Sequence, residues 1–255
     1  LGYLKLGGTG VTGGIGGRIN ESRYAFTSRL IGASLHPYEQ NNLATHVGDD
    51  PERVAANRIA LAQSLGISYQ QLFFMNQVHG TTIVEIDNSV APGSIFECDG
   101  LITKLPGVGL AVLAADCAPL LLMGSRTVAA IHVGWRGLFG GIVEKAVALM
   151  NGESFTALIG PTICGNCYEI SDDLAERARS QGFVVGHSTR STSNNEDRSA
   201  LDIPHSILSI INGLVTDQVK EATWNGVCTF ESHEHFSYRR EQVTGRQAGV
   251  VFNES

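Results

Sequence analysis

Ala114-Ala-Asp-Cys-Ala-Pro119, the apolar run through Met123, and Ala130-Ile-His-Val-Gly-Trp-Arg-Gly137 form the stretch whose reading decides the fold. Gly109–Ala115, Ala118–Met123 and Thr127–Val133 are apolar and β-branched, at lengths typical of buried strands, so three consecutive strands are predicted. The interval from Cys117 to His132 fits one strand out, a short turn at Gly124-Ser125 and one strand back. A thiol and an imidazole therefore lie at strand ends. His79, in Asn76-Gln-Val-His-Gly80, lies at the end of an earlier apolar run. Two imidazoles and one thiol make a three-ligand set that leaves one corner of a tetrahedral zinc open. Taken singly, each has a commoner role: Cys117 as a packed thiol, His132 as a core histidine, His79 as a turn residue.

Working outward, Asp49-Asp-Pro-Glu52 reads as a helix start, with an Asp cap and proline at the first helical position. Val54, Ala55, Ile59, Ala62 and Leu65 continue the stripe until Gly66 stops it. Strands are predicted at Arg23–Leu30, Gln71–Val78, Thr81–Ile86, Thr156–Ile159, Val227–Phe230 and Gln247–Phe252. Helices are predicted at Leu138–Met150, at Ser171–Ser180 with Ser171 as cap, and from Asp202 to about Lys220. Arg190–Arg198 is polar and aperiodic, a loop. Residues 1–17 are glycine-dense. Gly8–Gly13 fits G-x-G-x-x-G, but no helical period follows as a dinucleotide fingerprint requires, so residues 1–17 read as a flexible leader. The remainder, 18–255, reads as one α+β domain with a mixed β-sheet core and flanking helices.

A formal charge of -7 and a pI near 5.6 argue against a nucleic-acid binder, whose affinity rests on Lys and Arg against phosphate. No apolar run reaches the roughly 20 residues of a membrane span. Leu1–Leu6 is too short for a signal peptide. The five cysteines are odd in number and irregularly spaced, unlike a disulfide framework, which points to a reducing, cytoplasmic setting. Cys164-Gly-Asn-Cys167 is a C-x-x-C with no helix opening behind it, and reads as a loop at the pocket rim with redox chemistry the lesser option. His233-Glu-His235 reads as a polar, exposed segment.

Arg136, in a glycine-bounded turn before a helix, suits a phosphate or carboxylate, or else caps strand carbonyls. Arg29 and Arg246 are candidate helpers. Asp116 and Asp99 are the candidate proton shuttles. Nothing in the sequence fixes an oligomeric state.

Asn76–Gly80, Cys98-Asp-Gly100, Ala115–Pro119, His132–Gly137, Ile159-Gly-Pro161 with Cys167-Tyr-Glu169, and Ser237-Tyr-Arg-Arg240 with Thr244-Gly-Arg246 together resemble the YfiH-like laccase-domain family. Its members carry the names polyphenol oxidase, purine nucleoside phosphorylase and peptidoglycan editing factor. The resemblance runs from about Arg23 to Val251. It implies an α+β fold similar to a group of cysteine hydrolases, with zinc held by His79, Cys117 and His132. It also implies action on a small nucleoside and phosphate: purine nucleoside phosphorolysis, adenosine deamination and methylthioadenosine phosphorolysis. Leu30-Ile-Gly32 stands where a Gly-Gly pair is usual, and Asn42-Leu-Ala44 where Asn-Leu-Gly is usual. Two rival enzyme readings accompany it. One is a cysteine nucleophile, Cys117 with His132 as base, hydrolysing a peptidoglycan precursor. The other is a copper-dependent polyphenol oxidase, which the single His-x-His pair among eight histidines disfavours. A non-enzymatic binding module is the fourth possibility.

Overall fold

The computed structural model describes residues 14–189, 198–214 and 217–254. Thirteen strands and six α-helices occur in these residues: β1 (Ile15–Ile19), β2 (Ser22–Phe26), α1 (Pro51–Leu65), β3 (Leu72–Phe74), β4 (Ile83–Ile86), β5 (Gly100–Thr103), β6 (Gly109–Ala114), β7 (Ala118–Met123), β8 (Val128–Val133), α2 (Trp135–Phe139), α3 (Ile142–Leu149), β9 (Phe155–Ile159), α4 (Asp172–Ser180), β10 (Val185–His187), β11 (Ser199–Leu201), α5 (Ile203–Leu214), β12 (Val219–Trp224), α6 (Tyr238–Glu241) and β13 (Gln247–Asn253).

The strands make a five-stranded sheet in the order β1-β2-β13-β6-β3, a six-stranded sheet in the order β12-β9-β7-β8-β5-β4, and a small β10-β11 ribbon. Side chains alternate across each strand, so one strand serves two cores. Leu121 and Met123 of β7 meet Leu110 and Val112 of β6 and Val251 of β13 between the sheets. Leu120 and Leu122 face Val143, Ala146 and Ile207 of α3 and α5 on the outer side. Ala111 and Leu113 of β6 face Leu61 and Leu65 of α1 on the opposite outer side. The result is a layered α/β/β/α arrangement, an α+β fold with mixed sheets. Cutting a fully buried leucine such as Leu121 to alanine should cost about 2–5 kcal/mol.

Local expectations fare unevenly. The start and stop of α1 stand as read: Asp50 accepts from the Glu52 N–H at 2.9 Å, and Gly66 closes the helix at φ 75°. The helix predicted over 138–150 is two helices broken at Gly140-Gly141. Gly141 adopts φ 81°, and a Cβ on Gly140 would lie 2.6 Å from Thr81 Cγ2. The helix predicted to reach Lys220 ends at Leu214, and Val219 instead opens β12, which runs parallel to β9. Val227–Phe230 is not a strand but a turn tied by a single bridge, Thr162 to Cys228. β1 begins at Ile15 and pairs with β2, so the last residues of the expected leader lie within the sheet. Residues 1–13 and most of the expected loop, 190–197, lie outside the described residues. Among the described residues no helix is long and apolar enough to cross a membrane.

Candidate metal centre

The strand directions bring the chemistry to one end of the sandwich. β6 and β8 run towards that end, β7 starts from it, and the β3–β4 connection crosses it. Cys117 sits at the corner where the chain leaves one sheet for the other. His132 is near the end of β8, and His79 is in the β3–β4 loop. One imidazole nitrogen from each histidine and the Cys117 Sγ lie within 4.8 Å of one another. The two imidazoles are edge to face, with centroids 4.8 Å apart. His132 is buried and His79 exposed, so the cluster opens to solvent on one side.

Backbone geometry is constrained there. His79 has φ 60° and Asp116 φ 95°, the left-handed region that costs an ordinary L-residue about 1–2 kcal/mol. Both are held by hydrogen bonds. Asp99, fully buried, accepts from the N–H groups of His79 (2.9 Å) and Gly80 (2.6 Å) and bonds His132 Nδ1 at 2.8 Å. A carboxylate on Nδ1 makes that nitrogen an N–H donor and turns Nε2 of His132 towards the cluster, where a bound ion would take its lone pair. Asp99 is thus an orienting group. Asp116, expected as a shuttle, also has its oxygens engaged: Oδ1 accepts from the Thr229 hydroxyl (2.7 Å), Oδ2 from the Arg239 N–H (2.6 Å), and its carbonyl from Thr162 and Ile163. Its geometry is that of a brace for the Cys117 corner rather than of an acid open to substrate. Gly134 lies close against the cluster, and a Cβ there would stand 3.2 Å from both Cys117 Sγ and His79 Cδ2.

Burial alone would push the Cys117 thiol up, but the charge and hydrogen bond of His132, then those of His79, bring it down to about 6. Burial would lower His132, while Cys117 and Asp99 raise it to about 9. The ion-free pair is therefore thiolate and imidazolium. The donor set also fits zinc. A tetrahedral ion with ligands at roughly 2.0–2.3 Å spaces its donors about 3.5 Å apart, a small closure from the separations seen.

The three arginines expected around the site differ. Arg246 is close enough to feel the charges of Cys117 and Asp116, and its Nη1 donates to the Thr244 and Gly245 carbonyls. Arg136 is exposed on α2, its guanidinium 4.4 Å over the Trp135 ring. Arg29 departs from the expectation. It pairs with Glu241 at 2.6 Å, donates to the Glu39 carbonyl and lies over Phe236, which leaves its charge neutralised within the fold.

Three further side chains belong to the rim. Burial, then the Cys117 charge, pushes the Tyr168 phenol up to about 12, which keeps its hydroxyl protonated. Arg239 lies 4.9 Å over that ring. Burial, then the charges of Arg246, Arg58 and His79, lowers His46. Tyr168 and Arg239 stand inside segments singled out above, Cys167-Tyr-Glu169 and Ser237–Arg240, but no local pattern gives them a role. His46 carries no sequence signal. His233 is exposed, but His235 is buried, so the segment read as polar and exposed is exposed only in part.

A second cluster of donors, Cys164, Cys167, Cys228 and Glu231, has its four ligand atoms within 4.8 Å of one another.

With the geometry in hand, comparison with known proteins is direct. The family model described as multi-copper polyphenol oxidoreductase laccase matches residues 23–254. A purine nucleoside phosphorylase of Streptomyces coelicolor is 37% identical over 92% of this chain and 96% of its own length. One of Corynebacterium glutamicum is 38% identical over 90% and 94%. The crystal structure of YlmD from Geobacillus stearothermophilus superposes with a TM-score of 0.80 at 28% identity, covering 92% of this chain and 93% of that one.

Proposed function

Because this chain belongs to the laccase-domain family of YfiH and YlmD, we propose that it is a zinc-dependent purine nucleoside phosphorylase, with adenosine deamination and methylthioadenosine phosphorolysis as further reactions of the same site. The observation that carries this reading is the open three-donor cluster of His79, Cys117 and His132 beneath a cationic rim. These residues would hold the metal, and zinc bound there supplies Lewis acidity and lowers the pKa of water towards ~7.

The chain's own residues do the rest. Asp99 fixes the tautomer of His132 and the turn at His79. Asp116 braces the Cys117 corner through Thr229 and Arg239. Arg246 and Arg136 offer positive charge for phosphate, and the Tyr168 hydroxyl is a donor at the rim. In phosphorolysis a phosphate oxygen bonds ribose C1′ as the bond from C1′ to the base nitrogen breaks. The base leaves with a proton, and ribose-1-phosphate remains. A cytoplasmic setting belongs to the same proposal and is supported by five free thiols.

Incubating zinc-loaded protein with adenosine or inosine, with and without phosphate, tests the reading. Phosphate-dependent release of free base and ribose-1-phosphate is expected; no base under any condition ends it. Inosine formed from adenosine without phosphate would add the deaminase reaction.

The ion-free thiolate–imidazolium pair favours one second reading, a hydrolase with Cys117 as nucleophile and His132 as general acid and base. A thiolate ligated to zinc is a poor nucleophile, so stoichiometric alkylation of Cys117 in fully zinc-loaded protein would favour it. Copper in the same donor set is the oxidase alternative. Elemental analysis of protein purified without chelator separates the two metals.

A further inference from the structure

We propose that Cys164, Cys167, Cys228 and Glu231 form a second, closed zinc site that locks together the two loops walling the first. The argument starts from topology. β9 and β12 are adjacent parallel strands, so the loops leaving their carboxyl ends emerge side by side. One loop carries Cys164-x-x-Cys167 and the other Cys228-x-x-Glu231. The loops are in register: Thr162 N–H donates to the Val227 carbonyl and Thr229 N–H to the Thr162 carbonyl, both at 3.1 Å. That register brings three sulfurs and a carboxylate within 4.8 Å of one another. Cys167 and Cys228 are buried, Cys164 is half-buried and Glu231 is exposed, so the carboxylate closes the solvent side.

The surroundings suit sulfur ligands. The Cys164 N–H donates to Cys228 Sγ at 3.4 Å, and Cys167 Sγ lies 3.4 Å from Glu231 Oε1. The N–H groups of Cys167 and Tyr168 both bond the Cys164 carbonyl, which folds the C-x-x-C into a tight turn with both sulfurs on one side. Three soft donors select zinc over hard cations, and four protein ligands leave no corner for substrate, as in structural sites. Binding displaces the protons that the sulfurs carry and changes no oxidation state. Each cysteine loop also touches the first site through Asp116, which bonds Ile163 beside Cys164 and Thr229 beside Cys228. Tyr168 follows Cys167 directly.

Elemental analysis of protein produced in zinc-replete medium and purified without chelator tests this. Wild type should hold two equivalents of zinc. His79→Ala and Cys228→Ser should hold one each, and the double variant none. Cobalt exchanged into the His79→Ala protein should give thiolate charge-transfer absorption roughly threefold that of the Cys228→Ser protein, in proportion to three sulfurs against one. If Cys228→Ser fails to fold, Cys164→Ser and chelator competition on wild type replace it, with biphasic zinc release expected. The proposal is overturned if Cys228→Ser or Cys164→Ser keeps the wild-type zinc content, or if wild type releases a single equivalent in one phase and Cys164→Ser retains it. It is also overturned if reduced, anaerobically purified protein shows a disulfide among the three cysteines by intact mass. Zinc content unchanged in His79→Ala but lowered in Cys228→Ser would count against the first site alone.

Discussion

Two clusters of sulfur-containing donors stand at the same end of this sandwich, and they are built differently. The first takes its donors from three separate parts of the chain and gives its most buried histidine a dedicated carboxylate, Asp99, fully removed from solvent. It leaves His79 facing water. The second takes its donors from two short loops tied in register, uses backbone N–H rather than a carboxylate to support its sulfur, and offers four donors instead of three. An open site needs its ligands fixed by groups that do not themselves bind. A closed site can be held by the loops it joins. Asp116 connects them, with its strained backbone between Cys117 on one side and the Thr162, Ile163 and Thr229 bonds on the other.

The contrast breaks most visibly at the ligands. Cys117→Ala or His79→Ala should abolish metal at the open site and lower phosphorolysis by more than about 100-fold, beyond the usual effect of an outer-shell group. Cys228→Ser should lower the thermal midpoint yet keep phosphorolysis within about tenfold, because it acts only through the wall. Equal losses in both variants, read from kcat and thermal denaturation together, would erase the distinction. Asp99→Asn comes next, with a loss of about 10–100-fold in zinc affinity or activity. Its stability cost is about 1–3 kcal/mol, since the buried His132 ring and the part-buried N–H groups of His79 and Gly80 lose a charged acceptor. Isothermal titration with zinc and urea denaturation measure the two parts separately. Gly134→Ala should weaken zinc about tenfold with the fold intact, because its Cβ would crowd Sγ and the His79 ring at 3.2 Å. Gly213→Ala, where a Cβ meets nothing within 4 Å, is the control, and should stabilise α5 by less than about 1 kcal/mol, being next to the helix end, without touching zinc.

How far each cluster could be read from sequence follows from how local its causes are. Ala114–Gly137 was legible because every second residue on both faces is apolar, and a strand buried on two sides writes that into its own sequence. The open site's ligands stood at the ends of such runs. The roles of the acids did not, since Asp99 and Asp116 are both acids beside cysteines, and only long-range contacts make one an imidazole partner and the other a corner brace. The C-x-x-C was visible, but its third sulfur lies in Val227–Phe230, which reads as a strand and is instead the turn after β12. The break at Gly140-Gly141 rests on Gly141 taking φ 81°, a turn that a Gly-Gly pair permits but does not dictate. Arg29 looked available only because Glu241, its partner, sits near the other end of the chain.

The gentlest test separates the two clusters by acid. His235 lies in the segment between Glu231 and α6, buried, with its Nδ1 2.9 Å from the Ser232 hydroxyl. Burial, then the charge of Arg240, lowers it to about 4. The unfolded histidine takes a proton near 6.5, and the folded one only near 4. Between those values the unfolded state binds more protons, so stability is full above about pH 6.5 and falls as pH drops towards 4. The change from this one group is up to about 3 kcal/mol, with no further loss below 4. His46, also lowered, adds a slope of the same sign, so His235→Gln should flatten the curve without levelling it. Urea denaturation from pH 7 to 4.5 gives the slope, and hydrogen exchange locates it. If the comparison is sound, amides of the Cys228 segment lose protection first while those of the His132 strand hold. Simultaneous loss, or an unchanged slope in His235→Gln, would mean that the closed cluster's loops melt only with the whole sandwich.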